Sequence, residues 1–558
     1  MPEETAGARY AASFAEQFTL RAVLIGCLGC VVLTMSSMYV ALKLGALPWP
    51  IIFVALTSMF LLKLLGHSNL NEINVTHTIM SAGAMTAGGL AFTVPGMFML
   101  DRGARLDMPR LLLVVLGGVV LGLIFTALIR KYFIVTKELA YPMGRAAAET
   151  LRAGDAGGGK SAALFASLGL AGLFTFVRDG IPAIPRFGGR TVIPAAFFSG
   201  RMQAYGSAGG IWLSPMLISV GYIVGPLAVG VWFAGALIGD AGILIGGVAS
   251  GLLDAASAAA IKSSLGIGLM VGTGVGIIAK GILPKAREIF GPMFSRTAMS
   301  DGIVNLRFAP AVMVLLAVVF TFPCGMGPLP SIVTILGVWL ATAMSAQVVG
   351  QSGINPMEIF GIIVLLAAKA LSGLEHAQAF FVAAAVAVAC GLVGDVMNDF
   401  KAGAILGTDP KAQWLGECIG GVVGAFLSVG VFAVILKAYG PAAFGDPELF
   451  AAPQAGAVAA MVGGIPHVPA FVVGLLAACA LYVAGFPVMT LGLGVYLPFY
   501  LSATAFLGGL LRPIARRLAP EWERGGTGLI IASGLLGGEA VVGVLIALCR
   551  AVSGFAAM

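Results

Sequence analysis

Apolar blocks of about twenty residues recur along the whole chain, and as helices such blocks are long enough to cross the roughly 30 Å hydrocarbon core of a bilayer. A water-soluble fold cannot hide so many of them. With 59% hydrophobic and only 10% charged residues, the chain reads as an all-α polytopic membrane protein. About sixteen segments are expected, within a range of roughly 14–16. Several are cut by Gly and Pro, notably around Pro226 and Pro498, as broken helices meeting inside a membrane would be. The 79 glycines suit helices packed backbone to backbone where no water drives association.

The net charge of +7 does not describe a nucleic-acid groove. Its Lys and Arg residues sit in short links such as "DRGARLDMPR" (101–110), "RKYFIVTKE" (130–138), "KAREIFGPMFSR" (285–296) and "RPIARRLAPEWER" (512–524). That distribution places those links in the cytoplasm. The N-terminal segment reads as a retained first helix. Seven cysteines, almost all inside apolar blocks, do not form a disulfide framework, and the Cys27/Cys30 pair reads as two small apolar residues. The four histidines are too scattered for a zinc-protease motif.

Sliding the chain past itself by about 273 residues pairs "SVGYIVGPLAVGVWFAGALIG" (219–239) with "GLGVYLPFYLSATAFLGGLLR" (492–512), so that Gly221 meets Gly494. Ile73-Asn74 likewise echoes Ile354-Asn355. The chain is accordingly expected to be one membrane body made of two repeated halves, 1–300 and 301–558. Repeats in a polytopic protein point to a transporter with its substrate held where they meet.

Polar groups at membrane depth are costly, and an acid at a helix centre carries about 2.5–3.5 kcal/mol on insertion scales, which makes such residues functional candidates. In "HSNLNEINVTHTIMSAGAMTAGG" (67–89), Asn71, Glu72, Asn74, Thr76, His77 and Thr78 precede a small-residue helix. An irregular stretch there, ending in a helix N-terminus, would present N–H groups to an anion; an ordinary N-cap is the other reading. "GQSGINPMEIFG" (350–361) repeats the logic with Gln351, Ser352 and Asn355, and Glu358 either complements the helix dipole or carries a proton. "ELAYPMGRAAAETLRAG" (138–154) reads as interfacial. Glu539, with no basic residue near it in sequence, suits a proton relay or a structural hydrogen bond. Tyr222 and Tyr496, before the paired prolines, can line a pathway or cap an interface.

"GDVMNDFKAGAILGTDPKAQWLGECIG" (394–420) closely resembles the hallmark stretch of the oligopeptide transporter family, which includes the yellow-stripe-like metal-chelate transporters. Further blocks agree in order: "NEINVTHTIMSAGAMTAGGLAFTVPGMF" (71–98), "ELAYPMGRAAAE" (138–149), "SPMLISVGYIVGP" (214–226), "GQSGINP" (350–356), "APQA" (452–455), "GVYLPFYLSATAFLGGLLR" (494–512) and "GTGLIIASGLLGGEA" (526–540). The likeness spans nearly the whole chain and is closest to the prokaryotic branch. After Asn355-Pro356 the family usually has small residues, whereas this chain has Met357, Glu358 and Ile359.

The resemblance implies a proton-coupled importer of small peptides, or alternatively of metal–chelate complexes, working by alternating access in a bacterial inner membrane, often as a homodimer and without a cofactor. The expected substrate contacts are Glu72, Asn74, Thr78, Gln351, Ser352, Asn355, Tyr222 and Tyr496. The expected coupling or gating residues are Glu539, Asp395, Asp399, Glu358 and Lys401. Asp395 is placed at the end of an apolar run facing a water-filled cavity, with Asp399 and Lys401 at its cytoplasmic mouth. The rivals are a passive channel and an intramembrane serine protease using Ser81, with His77 as the nearby base, or Ser352; an enzyme is not the expectation.

Overall fold

The computed structural model describes residues 10–44, 47, 51–66, 68–156, 158–183, 191–285, 287, 299–300, 303–305, 308–446 and 449–556. They are overwhelmingly helical. The strands are two short antiparallel ribbons, Ala196–Phe198 with Gly210–Trp212 and Met299–Ser300 with Val304–Asn305. Among the described residues nine helices are long and apolar enough to cross a membrane, or ten if Pro453–Gly463 and Val468–Val483 count as one span. The expected sixteen segments also count shorter apolar helices, such as Val54–Leu64, Pro215–Val224, Ala309–Thr321 and Thr527–Gly543. At 1.5 Å per residue, the first three of these reach only about 15–20 Å, short of a full crossing, whereas Thr527–Gly543 belongs to a helix that runs on to Ala556.

Helix starts follow proline chemistry. Pro215, Pro226, Pro328 and Pro410 each stand in the first turn, where a missing N–H costs nothing, directly behind Ser214, Gly225, Gly327 and Asp409. The Ser214 and Asp409 side chains accept backbone N–H bonds there.

Backbone contacts group the chain into two units that interleave along the sequence. One comprises Met1–Ala156, Ile282–Gly464 and Ala547–Met558; the other comprises Gly157–Gly281 and Ile465–Ile546. Each therefore draws on both sides of residue 300, and the grouping addresses packing, not duplication.

The first unit is organised around the helix His376–Leu406, in which every residue from Ala379 to Phe400 is buried. An apolar surface on all sides needs neighbours on all sides. The helices Leu70–Ala91, Met108–Arg130, Pro328–Ser352 and Met357–Ser372 supply them. Leu70–Ala91 is itself buried along its whole length and is crossed by Pro410–Tyr439 at bare backbone: a Cβ on Gly424 would overlap the Cα of Gly83.

One expected break is absent and the other is present. The polar run 71–78 is regular helix, because the N-terminus lies further back at Asn69, whose side chain accepts from Glu72 N at 2.8 Å. The chain does break after Ser352: Gly353 adopts φ 73°, and the next helix starts at Met357.

In the second unit two proline-broken helices, Pro215–Val224 with Pro226–Ala236 and Val488–Tyr496 with Phe499–Leu518, pack against each other. Their contacts are reciprocal. Gly221 abuts the carbonyl of Ala505, and Gly494 abuts that of Trp232; Gly235 abuts the carbonyl of Leu491, and Gly508 that of Ile218. Any side chain at these four glycines would collide with backbone.

Candidate functional site

Three helices of the first unit each turn one pair of polar side chains, four residues apart, toward a common point. An (i, i+4) pair shares a helix face. The pairs are His77 with Ser81, Asp395 with Asp399, and Gln413 with Glu417. All six residues are buried, and His77, Ser81, Asp395, Asp399 and Glu417 have no exposed surface at all. Carboxylate oxygens of Asp395, Asp399 and Glu417 lie within 4.8 Å of one another.

The surrounding bonds fix these groups without neutralising them. Ser81 Oγ donates to Asp399 Oδ2 at 3.0 Å, and Gln413 Nε2 donates to the Asp399 carbonyl at 2.6 Å. His77 Nε2 stands 3.5 Å from Asp399 Oδ1, and His77 Nδ1 lies 3.5 Å from Asn74 Oδ1. Asn74 is held in turn, since Asn74 Nδ2 and Asn71 Nδ2 both donate to Thr408 Oγ1, at 3.2 and 3.1 Å. Both oxygens of Asp395, both of Glu417, Oδ1 of Asp399 and Nε2 of His77 have no hydrogen-bond partner among the described residues. At an effective dielectric of 20, two charges at this separation repel by roughly 3 kcal/mol. Three ionised carboxylates therefore cannot stay together without protons or a cation.

The expected residues fare differently. Asp395 and Asp399 both join the cluster, and Asp399 is not at a mouth: it lies inside the unbroken His376–Leu406 helix, fully buried. Lys401, two residues on, is half-buried. Glu72 is not open to a ligand, because Arg21 grips both its oxygens at 2.6 and 2.7 Å and Thr19 Oγ1 donates to it at 2.6 Å. Thr78 returns its hydroxyl to the Asn74 carbonyl at 2.7 Å. Asn355 clamps the chain break to the central helix, accepting from Ser345 Oγ at 3.0 Å and donating to the Cys390 carbonyl at 2.9 Å. Glu358 is buried in the first turn of Met357–Ser372, outside the three-acid group. The Gln351 and Ser352 side chains lie outside the described residues. Ser81 donates to a carboxylate instead of to His77, so it is not set up as a nucleophile.

Tyr222, Tyr496 and Glu539 belong to the second unit. The Tyr222 hydroxyl donates to Glu523 at 2.5 Å, and half-buried Tyr496 lies where a side chain on Gly266 would strike it. Glu539 is not a lone acid. Arg178, 361 positions away in sequence, meets it at 2.9 Å, while Ser214 Oγ at 2.9 Å and Met216 N at 2.7 Å complete its shell at a helix start. A second buried pair, Lys262 with Asp240 at 2.7 Å, accepts a further bond from Ser207 to Asp240 at 2.7 Å.

Glu417 is the residue the sequence reading passed over, although it stands inside the hallmark stretch. Its spacing of four from Gln413, on a helix whose other charges cluster at the ends, was the available signal. The spelling "GDAGGGKS" (154–161) does fit a phosphate-loop spacing. That motif needs a strand before an open loop, whereas its described residues lie at the end of the helix Pro142–Ala156 and the start of Gly158–Thr175.

Helices buried on all sides around ionisable groups define a polytopic membrane protein with a polar site at membrane depth. The chain belongs to the OPT oligopeptide transporter protein family, whose pattern matches residues 17–284 and 290–550. It is also 26% identical to a Haemophilus influenzae protein named "Putative oligopeptide transporter", over 92% of this chain and 93% of that one.

Proposed function

We propose that this protein imports small oligopeptides across a bacterial inner membrane by alternating access, driven by protons. The carrying observation is the convergence of Asp395, Asp399 and Glu417, three buried acids with five unpartnered oxygens between them. A site of this kind changes net charge as protons arrive and leave, and it lies between helices that cross at bare glycine backbone. Protons bound in one orientation and released in the other would couple the gradient to peptide movement. Family membership and the relative's name supply the substrate class. The reading includes a homodimer, as the family resemblance implies, and two repeated halves, on the strength of the 273-residue offset in the sequence.

The test is uptake by proteoliposomes under an imposed inward proton gradient, with labelled di- to hexapeptides and, in parallel, iron and nickel chelates. Peptide accumulation that collapses with a protonophore and is lost in Glu417→Gln is the expected result. Accumulation of chelates but not peptides moves the protein to the other substrate class. Uptake indifferent to the gradient sinks the coupling.

A further inference from the structure

We infer that the same cluster binds a divalent transition-metal ion of the Mn2+ type, through carboxylate oxygens of Asp395, Asp399 and Glu417 and through Nε2 of His77. This does not depend on the substrate being a peptide. Three observations converge. First, once ionised the groups facing the centre are acceptors only: both oxygens of Asp395 and of Glu417, and Oδ1 of Asp399, have no hydrogen-bond partner among the described residues. Buried acceptors that face only one another lack the partner that a cation provides.

Second, His77 is fully buried, and its unpartnered Nε2 points at Asp399 Oδ1 from 3.5 Å. Its other ring nitrogen faces the Asn74 side-chain oxygen, which is an acceptor, so the ring proton belongs on Nδ1 and the lone pair on Nε2. A ring anchored at one nitrogen and bare at the other is the arrangement of a metal-ligating histidine, with Asn74 as the outer partner that orients it. Asn74 is itself fixed by Thr408, and Asp399 by Ser81.

Third, the spacing suits one ion. The acid oxygens lie within 4.8 Å of one another; around an ion with bonds near 2.1 Å, donors stand about 3–4 Å apart. Side-chain adjustments of about an ångström bring the three acid oxygens to that spacing, and His77 Nε2, 3.5 Å from Asp399 Oδ1, reaches the ion from that side by a larger move. Three hard oxygens with one imidazole nitrogen favour a first-row divalent ion over Mg2+, which holds its water, and over thiolate-seeking ions.

The experiment is Mn2+ titration of the purified full-length protein in detergent, after removal of any affinity tag, read by electron paramagnetic resonance. About one saturable Mn2+ per chain is expected, displaced by Zn2+ and not by equimolar Mg2+. Spin-echo modulation should show the nitrogen of a coordinated imidazole, a readout of the wild-type protein alone. Glu417→Gln and His77→Gln should weaken binding at least tenfold, and Glu539→Gln in the other unit should not. No saturable site in the wild type, no nitrogen coupling, or equal weakening by Glu539→Gln and Glu417→Gln overturns the inference. Peptide uptake is measured separately, so the metal site can fail while the transport reading stands.

Discussion

Gly424→Ala tests whether the site depends on bare backbone contact. A Cβ at Gly424 would overlap Gly83 Cα and sit 3.3 and 3.5 Å from Gly83 N and C, all of it backbone that cannot rotate away. Ordinary carbon contacts begin near 3.5 Å, so the Pro410–Tyr439 and Leu70–Ala91 helices must part by roughly 1 Å. Overpacking of this kind costs about 1–3 kcal/mol, against about 0.5–1 kcal/mol that Ala contributes over Gly in a helix. The same helix carries its own control. Gly430 is exposed and has nothing within 4 Å of a built Cβ, so Gly430→Ala keeps the helix gain without the collision.

The two variants should therefore differ by about 1–3 kcal/mol in unfolding free energy, Gly430→Ala at or above wild type and Gly424→Ala below it. The assay is equilibrium or thermal unfolding of both proteins in one detergent. Gly424 lies two turns from Glu417, so Gly424→Ala should also weaken ion binding at the cluster and Gly430→Ala should not. Equal stability of the two variants would refute the close approach and, with it, the account of how the acids are brought together.

Three further outcomes follow from the second unit. Glu539→Ala removes one of the two carboxylates that Arg178 holds, leaving Asp179, and should cost about 1.5–3 kcal/mol, while Arg178→Met combined with Glu539→Leu should lose less than the sum of the single changes in a double-mutant cycle. Burial alone would raise the Glu523 carboxyl, but hydrogen bonds from Tyr222 and Arg512 and the charges of Arg512 and Arg516 outweigh it and hold it below the usual range. Its contribution is then complete above the ordinary glutamate value near 4.3 and fades as pH falls through the lower folded value; Tyr222→Phe should shrink that acid-side slope in a thermal-midpoint series from about pH 6 to 3. Gly221→Ala and Gly494→Ala should destabilise alike, because each collides with a carbonyl of the partner helix, and a large difference between their midpoints would contradict the reciprocal packing.

Spacing within a helix was legible in the sequence, and partnership between helices was not. The hallmark stretch drew attention to Asp395 and Asp399 because acids inside an apolar run are conspicuous, and their spacing of four set them on one face. The apolar run alone suggests a span that ends near Met397 with Asp399 beyond it, whereas the helix runs to Leu406. Glu72 reads in the sequence as one of a polar run and Glu539 as a lone acid. Their cations, Arg21 and Arg178, lie 51 and 361 positions away, a distance that no local pattern can bridge. The break at Gly353 was readable because glycine and Asn355-Pro356 punctuate it, and the continuity of 70–91 was not, because its Asn71, Glu72 and Asn74 side chains are satisfied by the distant partners Thr408 and Arg21.

The reciprocal glycines follow the 273-residue offset read in the sequence. Adding 273 to Gly221 and Trp232 gives Gly494 and Ala505, and adding it to Ile218 and Gly235 gives Leu491 and Gly508. These are the residues that exchange contacts, Gly221 on Ala505 and Gly494 on Trp232, Gly235 on Leu491 and Gly508 on Ile218. A duplication in that register would produce this exchange. Along one helix the positions rise from 218 to 221 while their partners fall from 508 to 505, so the paired segments run antiparallel. Two equivalent antiparallel segments are related by a two-fold axis perpendicular to both. For helices that run across a bilayer such an axis would lie in its plane, so we propose an inverted relation for these two segments; parallel segments in an experimental structure would overturn it.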